Sequence, residues 1–550
     1  ISLMKDQVGA LVEAGIPAAC INSAMSFEEF RDALYFAGRG EYKLLYVAPE
    51  RLTAPSFLEF AQRVPISMIT VDEAHCISQW GQDFRPSYLK ILDFLAALPE
   101  RPLVSAFTAT ATAEVRDDIV RALGLHEPFI KTTGFDRPNL YFAVEQPASK
   151  GMKLLQLLNE RKDKSGIVYC STRKNVEEIC DLLLSRGLPA TRYHAGLDPE
   201  ERRENQDDFL YDRKTIMVAT NAFGMGIDKS NVSFVIHYNM PKNMESYYQE
   251  AGRAGRDGQP ADCILLYSGQ DVRMAEFLIE RSHEAEDESI DEATRQELIA
   301  RDRERLKQMT FYCTTTECLR HYILRYFGEN SPMSCGHCSS CDTNFEEVDA
   351  TMDARKILSC VYRLDERGRA FGKTVVSAIL TGSKNEKITQ FGLDTLSTYN
   401  IMPDSTAVYV RRLIDMLLER GHLIVDSERM GVLVLTRSGN ALMRGRGEFR
   451  IKLPKEKKPD TSKHYAALAE DVDEKLFDAL REVRTRLAVR AGVPPYVIFS
   501  NATLADMAAK QPSSEYELLS VRGVGDAKAR RYGKDFLAVI RKYRDENLGK

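Results

Sequence analysis

The sequence lacks the features that would place the protein in a membrane or outside the cell. No apolar run approaches the ~18–20 residues that a membrane-spanning helix needs, and the chain does not begin with the basic and then apolar residues of a secretory signal. Its eleven cysteines are too few and too unevenly spaced for a disulfide framework. We therefore expect a soluble, cytoplasmic protein in a reducing compartment, with no membrane partner.

The chain also has little excess charge of either sign. Its formal net charge is −5 over 550 residues, so the composition as a whole provides no attraction to nucleic acid. Any nucleic-acid site has to come from local basic patches. The chain also lacks an initiator methionine and opens inside an amphipathic helix, "ISLMKDQVGALVEAG". We therefore expect it to be a fragment of a longer protein.

The pattern of apolar segments predicts an α/β fold. With 550 residues, of which 44% are hydrophobic, the chain is long enough for roughly three to five domains. Between Lys43 and Ser268 short apolar runs alternate with helical stretches, which is typical of parallel sheets covered by helices on both faces. The runs are "KLLYVA", "ISMITVD", "PLVSAFT", "GIVYC", "TIMVAT", "VSFVIHY" and "DCILLYS". A break near "VEQPASKG" divides them into two sets and predicts two lobes with a cleft between them.

The stretch "VDEAHCISQWGQDFRP", from Val71 to Pro86, follows one of these predicted strands. Functional side chains of parallel sheets lie at the carboxyl ends of the strands. An aspartate there can hold Mg²⁺, directly or through water, and the next glutamate can polarise an attacking water. We assign Asp72 to the metal and Glu73 to the water, and we include His75 as a candidate catalytic residue.

A second polar motif, "YYQEAGRAGRDG", is predicted on a helix of the second lobe. This helix can direct Gln249, Arg253 and Arg256 at a nucleotide held by the first lobe. A guanidinium group placed there stabilises charge on the transferring γ-phosphoryl group, as an arginine finger does. The alternative interpretation is a solvated basic helix end.

A phosphate-binding loop is missing from its expected place before the carboxylates. The chain contains one "GKT", in "GRAFGKT" from Gly368 to Thr374, where three residues instead of four separate the glycines and no buried strand precedes. This segment also follows the carboxylates instead of preceding them. We expect another ~50 to 80 residues upstream of Ile1 to carry the loop, and little ATP hydrolysis from residues 1–550 alone.

Seven segments of the chain resemble, in order, the motifs of RecQ-family DNA helicases. They are "ISLMKDQV", "DEAHCISQWGQDFRPSY", "FTATAT", "YCSTRKNVE", "YHAGL", "VATNAFGMGIDKSNV" and "ESYYQEAGRAGRDG". The resemblance runs from Ile1 to Asn547. It implies ATP-driven, 3′ to 5′ unwinding of DNA in repair, recombination and replication, with ATP, Mg²⁺ and Zn²⁺ as cofactors. It also implies a bacterial, nucleoid-associated protein that binds single-stranded and duplex DNA, with single-stranded-DNA-binding protein as a candidate partner.

The same motifs contain further candidate residues. Those assigned to the nucleotide, beside Asp72 and the two arginines, are Gly226 and Asp228. Those assigned to DNA or to the cleft are Lys5, Gln7, Thr108, Thr110, Thr172, Arg173 and Thr220.

By resemblance, "CISQWGQDFRP" is an aromatic-rich loop that couples single-stranded DNA to hydrolysis, and Trp80, Phe84 and Arg85 match it. Aromatic faces stack on bases for ~1–3 kcal/mol each without reading sequence, and an arginine adds a phosphate contact. Trp80 is the single tryptophan of the chain. The alternative, that these aromatics lie in a core, fits poorly with a loop this polar.

Four cysteines form a C-x16-C-x2-C-x2-C set: Cys318, Cys335, Cys338 and Cys341. Four thiolates can hold Zn²⁺ tetrahedrally, and an iron–sulfur cluster uses a similar ligand set. The resemblance favours zinc in a structural role.

The resemblance also divides the chain into domains. A winged-helix domain offers Arg429 for a phosphate contact. A C-terminal helical domain offers Tyr496, which either stacks on single-stranded DNA or packs on its neighbouring prolines. The expected boundaries are 1–144 for the C-terminal part of a first RecA-like lobe, 145–270 for a second, 271–348 for a helical hairpin with the four-cysteine zinc site, 349–452 for the winged helix, 453–469 for a linker and 470–550 for an HRDC domain.

Two other functions stay open at this point. A DEAH-type RNA helicase shares the carboxylate motif, but it does not account for the aromatic-rich loop or the cysteine set. A non-catalytic DNA-binding platform would use only the zinc, winged-helix and C-terminal parts.

Overall fold

The computed structural model describes residues 2–22, 25–78, 84–162, 164–224, 229–285, 292–343, 345–426, 432–454 and 474–547. Its strands, in chain order, are β1 Ala18–Ile21, β2 Leu44–Val47, β3 Met68–Val71, β4 Leu103–Ala106, β5 Leu140–Glu145, β6 Gly166–Tyr169, β7 Ala190–Tyr193, β8 Ile216–Ala219, β9 Phe234–His237, β10 Ala261–Leu266, β11 Phe345–Asp349, β12 Leu423–Asp426, β13 Val432–Leu435 and β14 Arg450–Pro454.

The α-helices, in the same order, are α1 Ser2–Glu13, α2 Phe27–Gly38, α3 Pro55–Arg63, α4 Pro86–Ala97, α5 Ala113–Ala122, α6 Lys150–Asn159, α7 Arg173–Ser185, α8 Pro199–Leu210, α9 Met244–Ala251, α10 Gly269–Ala285, α11 Glu292–Thr314, α12 Leu319–Tyr326, α13 Ser339–Asp342, α14 Thr351–Glu366, α15 Lys373–Leu380, α16 Glu386–Gln390, α17 Ala407–Glu419, α18 Arg437–Met443, α19 Glu474–Ala491, α20 Pro495–Ile498, α21 Asn501–Lys510, α22 Glu515–Leu518 and α23 Asp526–Asn547. Short 3₁₀ turns cover Pro49–Arg51, Ala74–Ile77 and Leu393–Thr395.

The first lobe (residues 2–125) contains two parallel strand pairs, β1 with β2 and β3 with β4. The apolar runs had predicted β2, β3 and β4, but not β1. These strands are only partly buried, and Met68 and Leu103 are 48% and 67% exposed. We had predicted sheets covered by helices on both faces. In the described residues of this lobe, the strands are only partly covered.

The second lobe (residues 140–266) is built on one parallel sheet with the strand order β5-β10-β9-β6-β8-β7. Successive residues of its central strands face opposite sides, as in any strand. Ile167 and Met217 belong to one core, whereas Val168 and Val218 belong to the core on the other face. The prediction of a parallel sheet buried on both faces is confirmed for this lobe.

The cysteine module (residues 269–341) packs against the second lobe. The long charged segment forms α10 and α11, and the shorter α12 follows. Tyr312, Tyr322 and Phe327 of this module belong to the same apolar core as Phe142 and Tyr247 of the second lobe. The module and the lobe therefore share one core.

The winged-helix unit (residues 342–454) is a separate compact unit. Its core is formed mainly by α14, α15 and α17, and β12 pairs antiparallel with β13 as a wing. The "GRAFGKT" segment follows helix α14 instead of a strand, and Lys373 begins α15 with its Nζ 2.8 Å from Asp415. This context agrees with the expectation that the segment is not a phosphate loop. Arg429 lies outside the described residues.

The C-terminal module (residues 474–547) consists of α19 to α23 around an apolar core that includes Leu480, Leu504 and Phe536. The prediction of a small all-α domain is confirmed. In the part of the chain that the structure describes, every helix is too short or too polar to cross a membrane.

Candidate functional site

The two carboxylates of the DEAH motif lie at the carboxyl end of β3. Asp72 is exposed, and one of its carboxylate oxygens accepts the Glu73 N–H at 2.9 Å. Glu73 has a left-handed backbone with φ of 48°, a conformation that a residue with a side chain adopts rarely. The Tyr88 hydroxyl donates to the Asp72 carbonyl at 3.3 Å, and burial raises the pKa of that hydroxyl. The turn thus leaves the Asp72 side chain exposed, whereas Glu73 is half-buried and lies against His75.

His75 connects this turn to the "TAT" segment that follows β4. The imidazole is 3% exposed. Its Nδ1 lies 2.9 Å from Thr108 Oγ1 and 3.4 Å from Glu73 Oε2. Thr108 Oγ1 in turn accepts the Thr110 N–H at 3.3 Å. The histidine is therefore an internal link between the two motifs.

A hydrogen bond joins the first lobe to the second. Gln249, on α9, donates from Nε2 to Thr110 Oγ1 at 2.8 Å, and Thr110 is 3% exposed. A cavity of about 1740 Å³ lies at this junction. Its lining includes Gln7, Glu73, Thr108, Thr110, Gln249, Arg253 and Arg256. The structure thus places seven sequence-predicted residues of both lobes around one cleft.

The prediction that Gln249, Arg253 and Arg256 share one helix is wrong for the two arginines, because α9 ends at Ala251 and the arginines lie in the turns that follow it. Asn243 caps the start of this helix by accepting the Ser246 N–H at 2.8 Å. Burial raises the pKa of the Tyr169 hydroxyl, which donates to the Phe223 carbonyl at 2.9 Å, and the nearby positive charge of Arg253 opposes this rise. A Cβ atom on Gly224 would lie 3.1 Å from an Arg253 nitrogen, so the glycine in "NAFG" leaves room for the arginine.

The four predicted cysteine ligands come together, and their sulfur atoms all lie within 4.8 Å of one another. Cys318 to Cys338 and Cys335 to Cys341 are each 3.9 Å apart, sulfur to sulfur. Tetrahedral zinc with Zn–S bonds of about 2.3 Å requires sulfurs about 3.8 Å apart, so the cluster has the right size.

Burial raises the pKa of Cys318 and Cys338, and backbone N–H groups beside three of the four sulfurs act against this rise. The N–H of His321, His337 and Cys341 point at Cys318, Cys335 and Cys338 at 3.3–3.5 Å. Cys318 is also the N-cap of α12. Gly336, with φ of 62°, provides the turn inside the "CGHC" knuckle.

Other predicted residues have structural partners. Thr172 caps α7 by accepting the Asn175 N–H at 3.2 Å, and Thr220 accepts the Ala222 N–H at 3.4 Å. Arg173 begins α7, and Lys5 lies within α1. Tyr496 packs against the core of the second lobe. Phe84 and Arg85 are half-buried at the start of α4. Trp80, Gly226 and Asp228 lie outside the described residues.

One residue near the cleft was missed by sequence reasoning. Arg137 lies just before the amino end of β5. Functional side chains of parallel sheets are expected at the carboxyl ends of the strands, so this position did not suggest a functional residue. It lines the cleft and donates to backbone carbonyls of the turn that carries Arg253. A polar stretch, "FDRPN", was the only pointer in the sequence.

Models of five known families match consecutive parts of the chain. They are the DEAD/DEAH box helicase at residues 1–119, the helicase conserved C-terminal domain at 149–258, the RecQ zinc-binding family at 269–342, the RQC domain at 344–461 and the HRDC domain at 473–540. The zinc-binding match and the four-thiol cluster together support Zn²⁺ as the metal of this site.

Curated relatives align with almost the whole chain. The ATP-dependent DNA helicase RecQ of Bacillus subtilis is 42% identical over 99% of this chain and 88% of its own length. The protein of the same name from Haemophilus influenzae is 36% identical over 99% of this chain and 86% of its own. A mimivirus protein named putative ATP-dependent RNA helicase R290 is 35% identical over 78% of each. With this degree of identity over most of the Bacillus protein, the chain belongs to the RecQ family of helicases.

Proposed function

We propose that this protein is an ATP-dependent DNA helicase that unwinds duplexes with 3′ to 5′ polarity. The observation that carries the proposal is the shared cleft, in which Glu73 of the first lobe and Arg253 and Arg256 of the second line the same cavity. The names of the Bacillus and Haemophilus relatives give the same activity and substrate. The carboxylate that would activate water and the arginines that would stabilise the γ-phosphoryl group therefore face the same cavity.

Each side chain has a chemical task in this proposal. The exposed Asp72 carboxylate would hold Mg²⁺, an ion that prefers oxygen ligands and keeps several waters. Such an ion neutralises charge on the ATP phosphates. Glu73 accepts the proton of the attacking water, and the two guanidinium groups stabilise the negative charge that develops on the γ-phosphoryl oxygens. An arginine in this role is worth about 10³–10⁵ in rate.

The hydrogen bonds within the cleft suggest how hydrolysis is coupled to movement of the lobes. The chain of contacts runs from Glu73 through His75 and Thr108 to Thr110, and then to Gln249 on the other lobe. A change at the carboxylates on hydrolysis alters this chain, and with it the fit between the lobes. The aromatic-rich loop with Trp80 directly follows the DEAH turn, so DNA stacked on it would act on the same chain.

A DNA substrate is preferred over the two other candidates. The RQC and HRDC matches favour DNA as the substrate. The name of the mimivirus relative is the one observation that favours RNA. A non-catalytic platform would not need arginines and carboxylates around one cleft. This proposal also includes the predicted DNA-contacting residues and domain boundaries. It includes a location at the nucleoid and single-stranded-DNA-binding protein as a partner.

The test is ATP hydrolysis and strand separation by the protein as its gene encodes it. We expect hydrolysis to be stimulated by single-stranded DNA more than by RNA of the same sequence. We also expect unwinding of duplexes with a 3′ tail and not of those with a 5′ tail. Stronger stimulation by RNA would favour an RNA helicase, and tight DNA binding without any hydrolysis would favour the platform.

A further inference from the structure

Arg137 lies against the turn that carries the two cleft arginines. Its Nη1 is 3.4 Å from the carbonyl of Gly252, and its Nη2 donates to the carbonyls of Ala254 at 3.1 Å and Gly255 at 2.9 Å. Helix α9 ends at Ala251 with Gly252 as its C-cap, so these three carbonyls lie at or just beyond the end of the helix, outside its own hydrogen-bond ladder. A cation at this end also interacts favourably with the helix dipole.

A second side chain of the same segment holds the turn from the other side. Asn139 donates from Nδ2 to the Gly255 carbonyl at 2.9 Å and to the Gln259 carbonyl at 2.8 Å. Gly255 has φ of 57°, and a Cβ atom there would clash with Asn139 Nδ2. The turn after Arg253 therefore has one well-defined backbone path, set by two side chains from residues 137–139.

The cysteine module in turn fixes the backbone of Arg137. Arg320 donates to the carboxylate of Asp136 at 2.6 Å and to the carbonyls of Arg137 at 2.7 Å and Leu140 at 2.5 Å. Arg320 is 7% exposed and lies in the first turn of α12. That helix begins directly after Cys318. A buried cation thus connects the metal-binding cluster to the segment that holds the arginine turn.

We propose that Arg137 is a positioning residue for Arg253 and Arg256. By fixing the backbone between Gly252 and Gly255, it sets where the two guanidinium groups enter the cleft. This inference rests on the proposed function, because it assigns a task within ATP hydrolysis. Misplacement of a reacting group by about 1 Å can cost about 10²-fold in rate, so a change at Arg137 affects turnover more than nucleotide binding.

The experiment compares Arg137→Gln and Arg137→Lys with a matched control, Arg355→Gln. Arg355 also donates to two backbone carbonyls, from Nε to Leu442 at 3.1 Å and from Nη2 to Gly447 at 3.2 Å. It lies on α14 of the winged-helix unit and does not line the cleft. We expect Arg137→Gln to lower kcat for DNA-stimulated ATP hydrolysis about 10- to 100-fold with KM for ATP changed less than about threefold. Arg137→Lys should restore part of kcat, and Arg355→Gln should leave it within about twofold.

Hydrogen exchange of the same variants tests the backbone directly. Peptides that cover residues 252–259 should exchange faster in Arg137→Gln than in the parent protein and should be unchanged in Arg355→Gln. The proposal is overturned if exchange in 252–259 is unaltered, or if the loss appears in KM and not in kcat. If the parent protein hydrolyses no ATP, the proposed function fails, and the exchange result alone then decides whether Arg137 holds the turn.

Discussion

The hydrogen bond between Gln249 and Thr110 should control how firmly the two lobes associate. Thr110→Val removes the accepting hydroxyl and keeps a side chain of nearly the same shape. The Thr110 side chain is 3% exposed and the bond is 2.8 Å long, whereas Gln249 is half-buried and lines the cleft. A hydrogen bond of this kind contributes about 0.5–1.5 kcal/mol net. The equilibrium between associated and separated lobes should therefore shift about 2- to 13-fold toward separation.

The assay is energy transfer between fluorophores on unnatural amino acids, one in each lobe. Glu59 and Lys174 are suitable labelling sites, since their side chains are 67% and 83% exposed. Thr70→Val is the matched control, because Thr70 Oγ1 makes a 2.9 Å bond to Ser105 Oγ within the first lobe. We expect a larger separated population in Thr110→Val and no change in Thr70→Val.

A double-mutant cycle completes this test. Gln249→Ala should resemble Thr110→Val, and the double variant should resemble either single variant, because both remove the same bond. Additive effects of the two substitutions, or an equal shift in Thr70→Val, would refute the reasoning.

The remaining predictions concern metal, DNA coupling and acid stability. Elemental analysis should find one zinc per chain, lost in Cys335→Ser and retained in Cys20→Ser, whose sulfur lies outside the cluster; iron in place of zinc would contradict the assignment. Trp80→Ala should leave basal ATP hydrolysis intact and abolish its stimulation by DNA, and an unchanged stimulation ratio would count against the loop. Partial burial raises the pKa of Asp506, but bonds from Lys510 at 2.8 Å and from the Arg522 N–H at 2.7 Å outweigh it and hold that pKa below the ordinary 3.8. The stabilising contribution of the Asp506 carboxylate is therefore complete above pH 3.8 and is lost as pH falls through the folded-state pKa. Asp506→Asn should make Tm fall less steeply as the pH is lowered in the acid range. Asp478→Asn is the control and should not have this effect, because Asp478 forms only an exposed ion pair of 3.8 Å.

Apolar runs and polar motifs predicted much of the fold and the cleft. Strands β6, β8 and β9 are buried on both faces, so each appears in the sequence as an unbroken apolar run. Strands β1, β5 and β7 were missed. Strand β5, "LYFAVE", runs into the "VEQPASKG" segment that was interpreted as the break between the lobes. In contrast, β1 is a short mixed segment, "AACI", and β7 contains Thr191 and Arg192 within its four residues. Periodicity cannot identify strands of this length when neighbouring strands decide their pairing.

The candidate site was predicted where chemistry depends on residue type, and missed where it depends on tertiary contacts. Asp72, Glu73 and the cysteines are recognisable because carboxylates and thiols at these spacings suit metal ions. The link from His75 to Thr108 and the contacts of Arg137 join residues 33 and more than 100 positions apart. Neither pair has a local pattern, so only the folded chain reveals them.

Because Cys318 is both a predicted metal ligand and the cap of α12, we expect the order in which a ribosome releases the chain to matter for the cleft. Cys318 emerges before Cys335, Cys338 and Cys341, and the whole sheet of the second lobe emerges before any of them. Tyr312 and Tyr326 lie on either side of Cys318 in the sequence and donate to Tyr247 and Glu245 of α9, so we expect metal capture to help fix these two contacts. The supply of zinc during translation should therefore affect when α9 and the arginine turn that follows it reach their final structure. Protease resistance of α9 in nascent chains stalled before and after Cys341 would measure this timing.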